Sequence, residues 1–178
     1  MVQVIQVPNH VNNFDPILEA RRIWRERGWT EADLGMALVT SIARVDQINM
    51  KKIESNLRPL KLTFARFELL RLLSFTRKGS LPLSRVGNLL QVHPTSVTNA
   101  VDRLEAQHFV ERTAHATDRR MTLVNILPAG REIVETATEI LNREVFANMG
   151  LDASTGEQLL HLLTSLRAAS GDFSHLET

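Results

Sequence analysis

Residues 83–130 read LSRVGNLLQVHPTSVTNAVDRLEAQHFVERTAHATDRRMTLVNILPAG, and this stretch decides the fold. Between residues 94 and 107, apolar residues recur at the spacing of one helix face, which predicts a helix with a single buried stripe. The stripe consists of Val97, Ala100, Val101 and Leu104. Pro94 suits the first position of this helix, because its φ is already fixed and the missing N–H is not needed there.

The opposite face of the predicted helix carries short hydroxyl, amide and guanidinium groups. It is formed by Thr95, Ser96, Thr98, Asn99, Asp102 and Arg103. Such groups hydrogen-bond to phosphates and base edges, and the absence of bulky side chains lets a helix approach DNA closely. Taken alone, such a face is as often an ordinary solvated surface as a binding surface.

The segments on either side of this helix complete a pattern. Residues 83–90 predict a shorter helix that a tight turn separates from the next one. Residues 109–112 and 123–126 read as two short strands with a polar, basic segment between them. Helix, turn, polar helix, strand, basic tip and strand follow one another in a winged helix-turn-helix, which binds DNA. We therefore predict a mainly α-helical fold with a small β wing.

The motifs of this region resemble those of the multiple-antibiotic-resistance regulator (MarR) family. The resemblance covers residues 62–130 and rests on Leu62-Thr63, VGNL at residues 86–89, SVTNAVDRLE at residues 96–105 and DRR at residues 118–120. It implies a homodimer in which each recognition helix enters a major groove of double-stranded DNA. It also implies that each wing places Arg120 in the neighbouring minor groove, with Asp118 as the partner of this arginine.

Two positions depart from the family pattern. His108 stands where the family usually has glycine, and a left-handed conformation tolerates histidine less well than glycine but better than a β-branched residue. Leu127 stands where the family has a threonine that caps the next helix. We expect that side-chain cap, worth about 0.5–2 kcal/mol, to be missing, with Pro128 compensating in part.

The resemblance and the polar helix together define the predicted DNA-binding residues. They are Thr95, Ser96, Thr98, Asn99 and Arg103 on the recognition helix, and Asp118, Arg119 and Arg120 on the wing. A DNA-binding dimer of this kind reads a pseudo-palindromic operator. We expect a sequence-specific transcriptional regulator, a repressor that a ligand releases from its operator. The alternative is a dimeric protein-interaction module in which DNA binding is lost or non-specific.

Further helical patterns flank the winged unit on both sides. They cover residues 15–24, 32–57, 129–149 and 154–169. Helices at both chain ends cannot easily bury their apolar stripes on a small winged domain, so we predict an intertwined two-fold dimer, with monomeric packing as the alternative.

We predict three regions within one intertwined domain. Residues 1–56 form an N-terminal arm and dimerisation helices, residues 57–131 the winged DNA-binding region, and residues 132–178 the C-terminal dimerisation helices.

The net charge of +1 is unevenly divided among these three regions. Lys and Arg outnumber Asp and Glu by seven between residues 57 and 131, whereas the acidic residues are in excess by six after residue 131. Positive charge confined to the winged region is the electrostatic footprint of phosphate contacts.

Composition narrows the remaining possibilities. The 178 residues, 43% of them hydrophobic, suit one compact core. The absence of cysteine excludes a disulfide scaffold, a thiolate metal site and a cysteine-oxidation switch. No apolar run approaches 18 residues and no secretion signal opens the chain, so we expect a cytoplasmic protein with no membrane partner.

The resemblance also implies a small effector, because family members bind anionic molecules between the dimerisation helices and the winged DNA-binding region. These molecules are often phenolic or acyl-thioester compounds. Arg44 is the residue best suited to hold a carboxylate of such an anionic or aromatic molecule, with Met36, Thr40 and Phe67 as walls of the pocket. The alternative is that Arg44 lies on the helix surface or pairs with an acidic residue near Asp46.

Metal and enzyme chemistry have weaker support in the sequence. The six histidines lack the i, i+4 pairing and the carboxylate neighbours that metal ligands favour. No nucleophile elbow, phosphate loop or histidine-acid pair is visible. We therefore expect no metal, no cofactor and no enzymatic activity.

Overall fold

The structure is a computed structural model that describes residues 14–115, 118 and 121–173. Its helices are α1 Pro16–Glu26, α2 Asp33–Leu57, α3 Phe64–Phe75, α4 Leu83–Leu90, α5 Pro94–Ala106, α6 Pro128–Glu144 and α7 Ala153–Ala169. Its strands are β1 Ser80–Pro82, β2 Val110–Ala114 and β3 Thr122–Ile126, and short 3₁₀ turns cover Arg58–Leu60 and Phe146–Asn148. The mainly α-helical fold with a small β wing is confirmed.

The strands form one antiparallel sheet with β3 in the middle, in the order β1-β3-β2. Val124 lies opposite Leu81 of β1 and Arg112 of β2. Val124 is fully buried, and so the sheet turns one face of its central strand to the core. The sequence pattern does not single out β1, because three residues that end in proline are too short to show alternation.

The periodicity of the sequence does not single out α3 either, although this helix is central to the core. Apolar residues occupy most of its positions, and four of them, Phe67, Leu69, Leu70 and Leu73, are buried. Thr63 caps the helix by accepting a hydrogen bond from the backbone N–H of Arg66 at 3.4 Å. A helix surrounded by other elements has no polar stripe, so the helical period is weak in its sequence.

The chain divides into two compact units, one up to residue 52 and one from residue 53. In the second unit, α3 contacts α4, α5, α6 and β3. Leucines from three of these helices, Leu70, Leu104 and Leu141, are fully buried there. Arg71 of α3 also reaches α6, where its Nη1 lies 2.8 Å from Oε1 of Glu135.

The two departures from the family pattern, at His108 and Leu127, lie at the two ends of the wing. His108 has a φ of 58°, in the left-handed region that glycine favours, and its N–H donates to the carbonyl oxygen of Glu105 at 2.9 Å. No side chain caps α6 at Leu127, and Pro128 is its first residue. The expectation that no side chain caps α6 is confirmed.

In the first unit, α1 is joined to the start of α2 by a buried carboxylate. Asp33 is 4% exposed, and its Oδ2 accepts hydrogen bonds from Nε of Arg21 and Nε of Arg25, each at 2.7 Å. The hydrogen bond from Arg21 is the main cause that holds the pKa of Asp33 below its usual value, against the opposing effect of desolvation. Trp24 and Trp29, which lie between Arg21 and Asp33 in the sequence, pack edge to face with ring centroids 5.3 Å apart.

We expect Asp33→Asn to lower the melting temperature at neutral pH, because the amide removes the negative charge that both arginines contact. The pKa of Asp33 is lower in the folded than in the unfolded chain. The ionised carboxylate therefore stabilises the fold above the unfolded pKa, and this stabilisation is lost as the pH falls through the lowered value. Melting curves of the two proteins, recorded from neutral to acid pH, should converge on acidification. A gap of constant size at every pH would contradict this role.

None of the helices within the described residues is both long and apolar enough to cross a membrane.

Candidate nucleic-acid interface

Helix α5 has one buried side and one exposed side, as its sequence predicts. Val97, Val101 and Leu104 are buried. The exposed residues include all five side chains proposed for DNA contact on this helix, Thr95, Ser96, Thr98, Asn99 and Arg103. The structure therefore brings these five together on one solvent-facing surface, which we call the polar face of α5.

The start of α5 is fixed by a histidine. His93 is the N-cap residue, and its Nδ1 accepts a hydrogen bond from the backbone N–H of Thr95 at 3.3 Å. Pro94 follows as the first helical residue. This cap satisfies one of the N–H groups that a helix start leaves without a partner, and it orders the first turn of the polar face.

The turn between α4 and α5 is short and closely packed. Gln91 ends α4 with a φ of 53°, and the N–H of Val92 donates to the carbonyl oxygen of Gly87 at 3.1 Å. A Cβ at Gly87 would lie 3.4 Å from that turn's Val92 carbonyl and from a side-chain methyl of Val97. The small residue lets α4 and the turn approach α5, as the predicted helix-turn-helix requires.

The wing is the hairpin of β2 and β3. Beyond the strands, the N–H of His115 donates to the carbonyl oxygen of Met121 at 3.0 Å. The N–H of Met121 donates to the carbonyl oxygen of Asp118, also at 3.0 Å. Asp118 is exposed at this end of the hairpin. Arg119 and Arg120, the two wing arginines proposed for DNA contact, lie outside the described residues.

Arg112 of β2 connects the wing to α5, and sequence reasoning did not identify this role. Its Nη2 lies 2.5 Å from Oδ1 of Asp102, and its Nη1 lies 2.5 Å from Oε2 of Glu105. Its backbone N–H donates to Oε1 of Glu105 at 2.9 Å, and Nη2 also donates to the carbonyl oxygen of Thr98 at 3.3 Å. Desolvation lowers the pKa of Arg112, but the hydrogen bonds to Asp102 and Glu105 outweigh it and raise the pKa above its ordinary value.

The residues proposed for an effector are distributed over both units. Met36, Thr40 and Arg44 follow one another at four-residue spacing on α2, and the hydroxyl of Thr40 donates to the carbonyl oxygen of Met36 at 2.8 Å. Arg44 is exposed, and its Nη1 donates to Oε1 of Gln47 at 3.3 Å. Phe67 is buried on α3. The effector site stays a prediction.

Histidine, aspartate and glutamate side chains do not gather into a metal-binding group anywhere in the described part of the chain.

Comparison with known proteins places this geometry in a family. The sequence model described as "MarR family" matches residues 62–122. An uncharacterized HTH-type transcriptional regulator of Bacillus subtilis, YhbI, is 30% identical over 122 residues, which cover 65% of this chain and 75% of YhbI.

Solved structures agree with the sequence matches. Sco5413, a MarR family transcriptional regulator from Streptomyces coelicolor, is 42% identical with a TM-score of 0.72, covering 79% of this chain and 98% of Sco5413. A mutant of MarR from E. coli, complexed with operator DNA, shares the fold with a TM-score of 0.69 at 23% identity, covering 76% of this chain and 96% of that one. The chain therefore belongs to the MarR family of transcriptional regulators.

Proposed function

We propose that this regulator is a repressor that binds a pseudo-palindromic operator as a homodimer, with α5 in the major groove and the wing in the adjacent minor groove. The observation that carries the proposal is the polar face of α5, which is exposed, free of large apolar side chains and held next to the wing by Arg112. The excess of seven positive charges between residues 57 and 131 supports contacts with phosphates.

Within this interface, each residue type has its own role. Asn99 offers an amide that can donate to and accept from the major-groove edge of adenine, and the guanidinium of Arg103 matches the two acceptors of guanine. The hydroxyls of Thr95, Ser96 and Thr98 suit phosphate oxygens. At the wing, Arg119 and Arg120 supply the cations, and Asp118 orients Arg120. For the two arginines the proposal rests on the sequence.

Exposed apolar side chains on two helices support a homodimer. On α2, Leu34, Leu38, Ile42 and Val45 form one stripe, and each is more than 40% exposed. On α7, Leu159, Leu162 and Leu166 are 41%, 65% and 52% exposed. Apolar stripes of this length are costly in water, and a second copy of the chain is the partner that a two-fold DNA reader needs.

We further propose that a small anionic or aromatic effector regulates DNA binding and that Arg44 holds its carboxylate, with Met36 and Thr40 on the same helix. The two conformations of such a dimer differ in the distance between its recognition helices. A ligand that binds one of them more tightly than the other shifts the equilibrium between the DNA-bound and the released dimer.

Selection of duplexes from a randomised DNA pool by the full chain tests this function. We expect enriched sequences with two-fold symmetry and half-sites about 34–36 Å apart, one helical turn of DNA. Binding to the enriched duplex should be tighter than to a scrambled one, and its affinity should fall steeply with salt because phosphate contacts release counterions. Sedimentation of the complex should give two chains per duplex. Equal weak binding to all duplexes would instead favour the protein-interaction module.

A further inference from the structure

The contacts of Arg112 involve one particular side of α5. Thr98, Asp102 and Glu105 follow one another at i, i+4 and i+7, so they share a helix side that overlaps the polar face at Thr98. Arg112 contacts all three of them, through the carbonyl oxygen of the first and the carboxylates of the other two. One strand residue therefore fixes about two turns of the recognition helix against β2.

The carboxylate of Asp102 lies where a DNA-binding surface tolerates negative charge poorly. Its side chain is 54% exposed, and it follows Asn99 and precedes Arg103 on the helix. A phosphate that approaches the polar face would be repelled by this carboxylate if it were unpaired. The guanidinium of Arg112 compensates that charge, while its own side chain is only 24% exposed.

From this geometry, and resting on the DNA-binding function proposed above, we infer that Arg112 is a positioning residue for DNA recognition. It holds α5 at a fixed orientation to the wing and compensates the negative charges of Asp102 and Glu105, without contacting DNA itself. Because both the recognition helix and the wing must fit their grooves at the same time, their relative orientation determines whether base contacts can form.

A positioning role and a direct phosphate contact give different results. Loss of a phosphate-contacting cation weakens binding to every duplex alike and reduces the slope of the salt dependence. Loss of the fixed orientation weakens binding to the enriched duplex more than to the scrambled one, because only base contacts need the exact helix position. The ratio of the two affinities therefore separates the roles.

The first test uses Arg112→Lys, which keeps the positive charge but has no planar fork to contact two carboxylates together. We expect its affinity for the duplex enriched by the unaltered protein to fall about tenfold, the size of one base contact, with little change for the scrambled duplex. Melting curves establish that both proteins are folded. An equal loss on both duplexes, or no loss on either, would overturn the inference.

The second test combines Arg112→Met with Asp102→Asn. Arg112→Met leaves the carboxylate of Asp102 unpaired, so Asp102→Asn should raise the affinity for both duplexes about threefold more in the Arg112→Met variant than in the unaltered protein. An equal gain from Asp102→Asn in both backgrounds would mean that Arg112 does not compensate this carboxylate, and it would overturn the inference. If the unaltered protein enriches no sequence at all, the proposed function fails together with the inference. Enrichment with unchanged Arg112 variants refutes the inference alone.

Discussion

Asn99→Ala is expected to remove most of the discrimination between the enriched duplex and a scrambled one, while the protein remains folded. Asn99 is exposed on the polar face of α5, and its side chain makes no contribution to the buried stripe. Its amide is the group on this face that can form a bidentate pair with adenine, and such a pair is worth about 1–3 kcal/mol. The affinity for the enriched duplex should therefore fall roughly 5- to 150-fold for each of the two half-sites.

Substitutions at two other positions on α5 should change DNA affinity in ways that differ from Asn99→Ala. Arg103→Ala removes a cation as well as a base-reading group, so we expect weaker binding to both duplexes and a smaller salt slope. Thr98→Ala should cost less than Asn99→Ala, because the hydroxyl of Thr98 already donates to the carbonyl oxygen of Pro94 at 3.1 Å. These differences make the pattern across the three variants more informative than any single loss.

Asn142→Ala is a matched control for Asn99→Ala. Asn142 is also an exposed asparagine on a helix, but it lies on α6 rather than on the polar face of α5. Binding titrations of both variants against both duplexes measure the effect. Equal affinities for Asn99→Ala and the unaltered protein on the enriched duplex would remove α5 from the proposed base-reading role.

The sequence predicted those elements in which polar and apolar residues alternate with a regular period. The buried stripe of Val97, Val101 and Leu104 is a local pattern, and so are the flanking strands. The missing cap at Leu127 was expected from the comparison with the family pattern. The contacts of Arg112 are different, because they join a strand to residues seven and ten positions earlier on a helix. Nothing in the spacing specifies that these side chains meet, since the meeting depends on how β2 returns along α5.

The missed elements have a related explanation. Helix α3 is buried among its neighbours, and burial on several sides erases the polar stripe by which a helix is recognised. Strand β1 has three residues, and its pairing with β3 depends on a partner more than forty positions away. For the effector site, Arg44 and Phe67 were joined only by the resemblance, and sequence spacing carries no information on a pocket built from distant elements.

Gly130→Ala is expected to destabilise the fold by about 3 kcal/mol, the upper part of the usual range for overpacking. Gly130 is the third residue of α6 and is buried. A Cβ there would collide with the carbonyl oxygen of Phe109 and would lie 3.0 Å from a side-chain carbon of Ile126. The carbonyl of Phe109 cannot move aside freely, because it also accepts a hydrogen bond from the N–H of Leu127 at 2.9 Å. The first turn of α6 must therefore move away from the base of the wing.

Gly156→Ala on α7 is the matched control for this change. Gly156 also lies in the first turns of a helix, but a Cβ there would meet nothing within 4 Å. Alanine at this position should stabilise the helix by up to about 1 kcal/mol, because glycine is the poorer helix former. Thermal unfolding measures both variants, and a loss of about 3 kcal/mol corresponds to a fall in Tm of roughly 6–12 °C for Gly130→Ala. If both variants have the same Tm as the unaltered protein, the first turn of α6 does not pack against Phe109. A fall for Gly130→Ala alone identifies this contact as the point that fixes the start of α6 at the base of the wing.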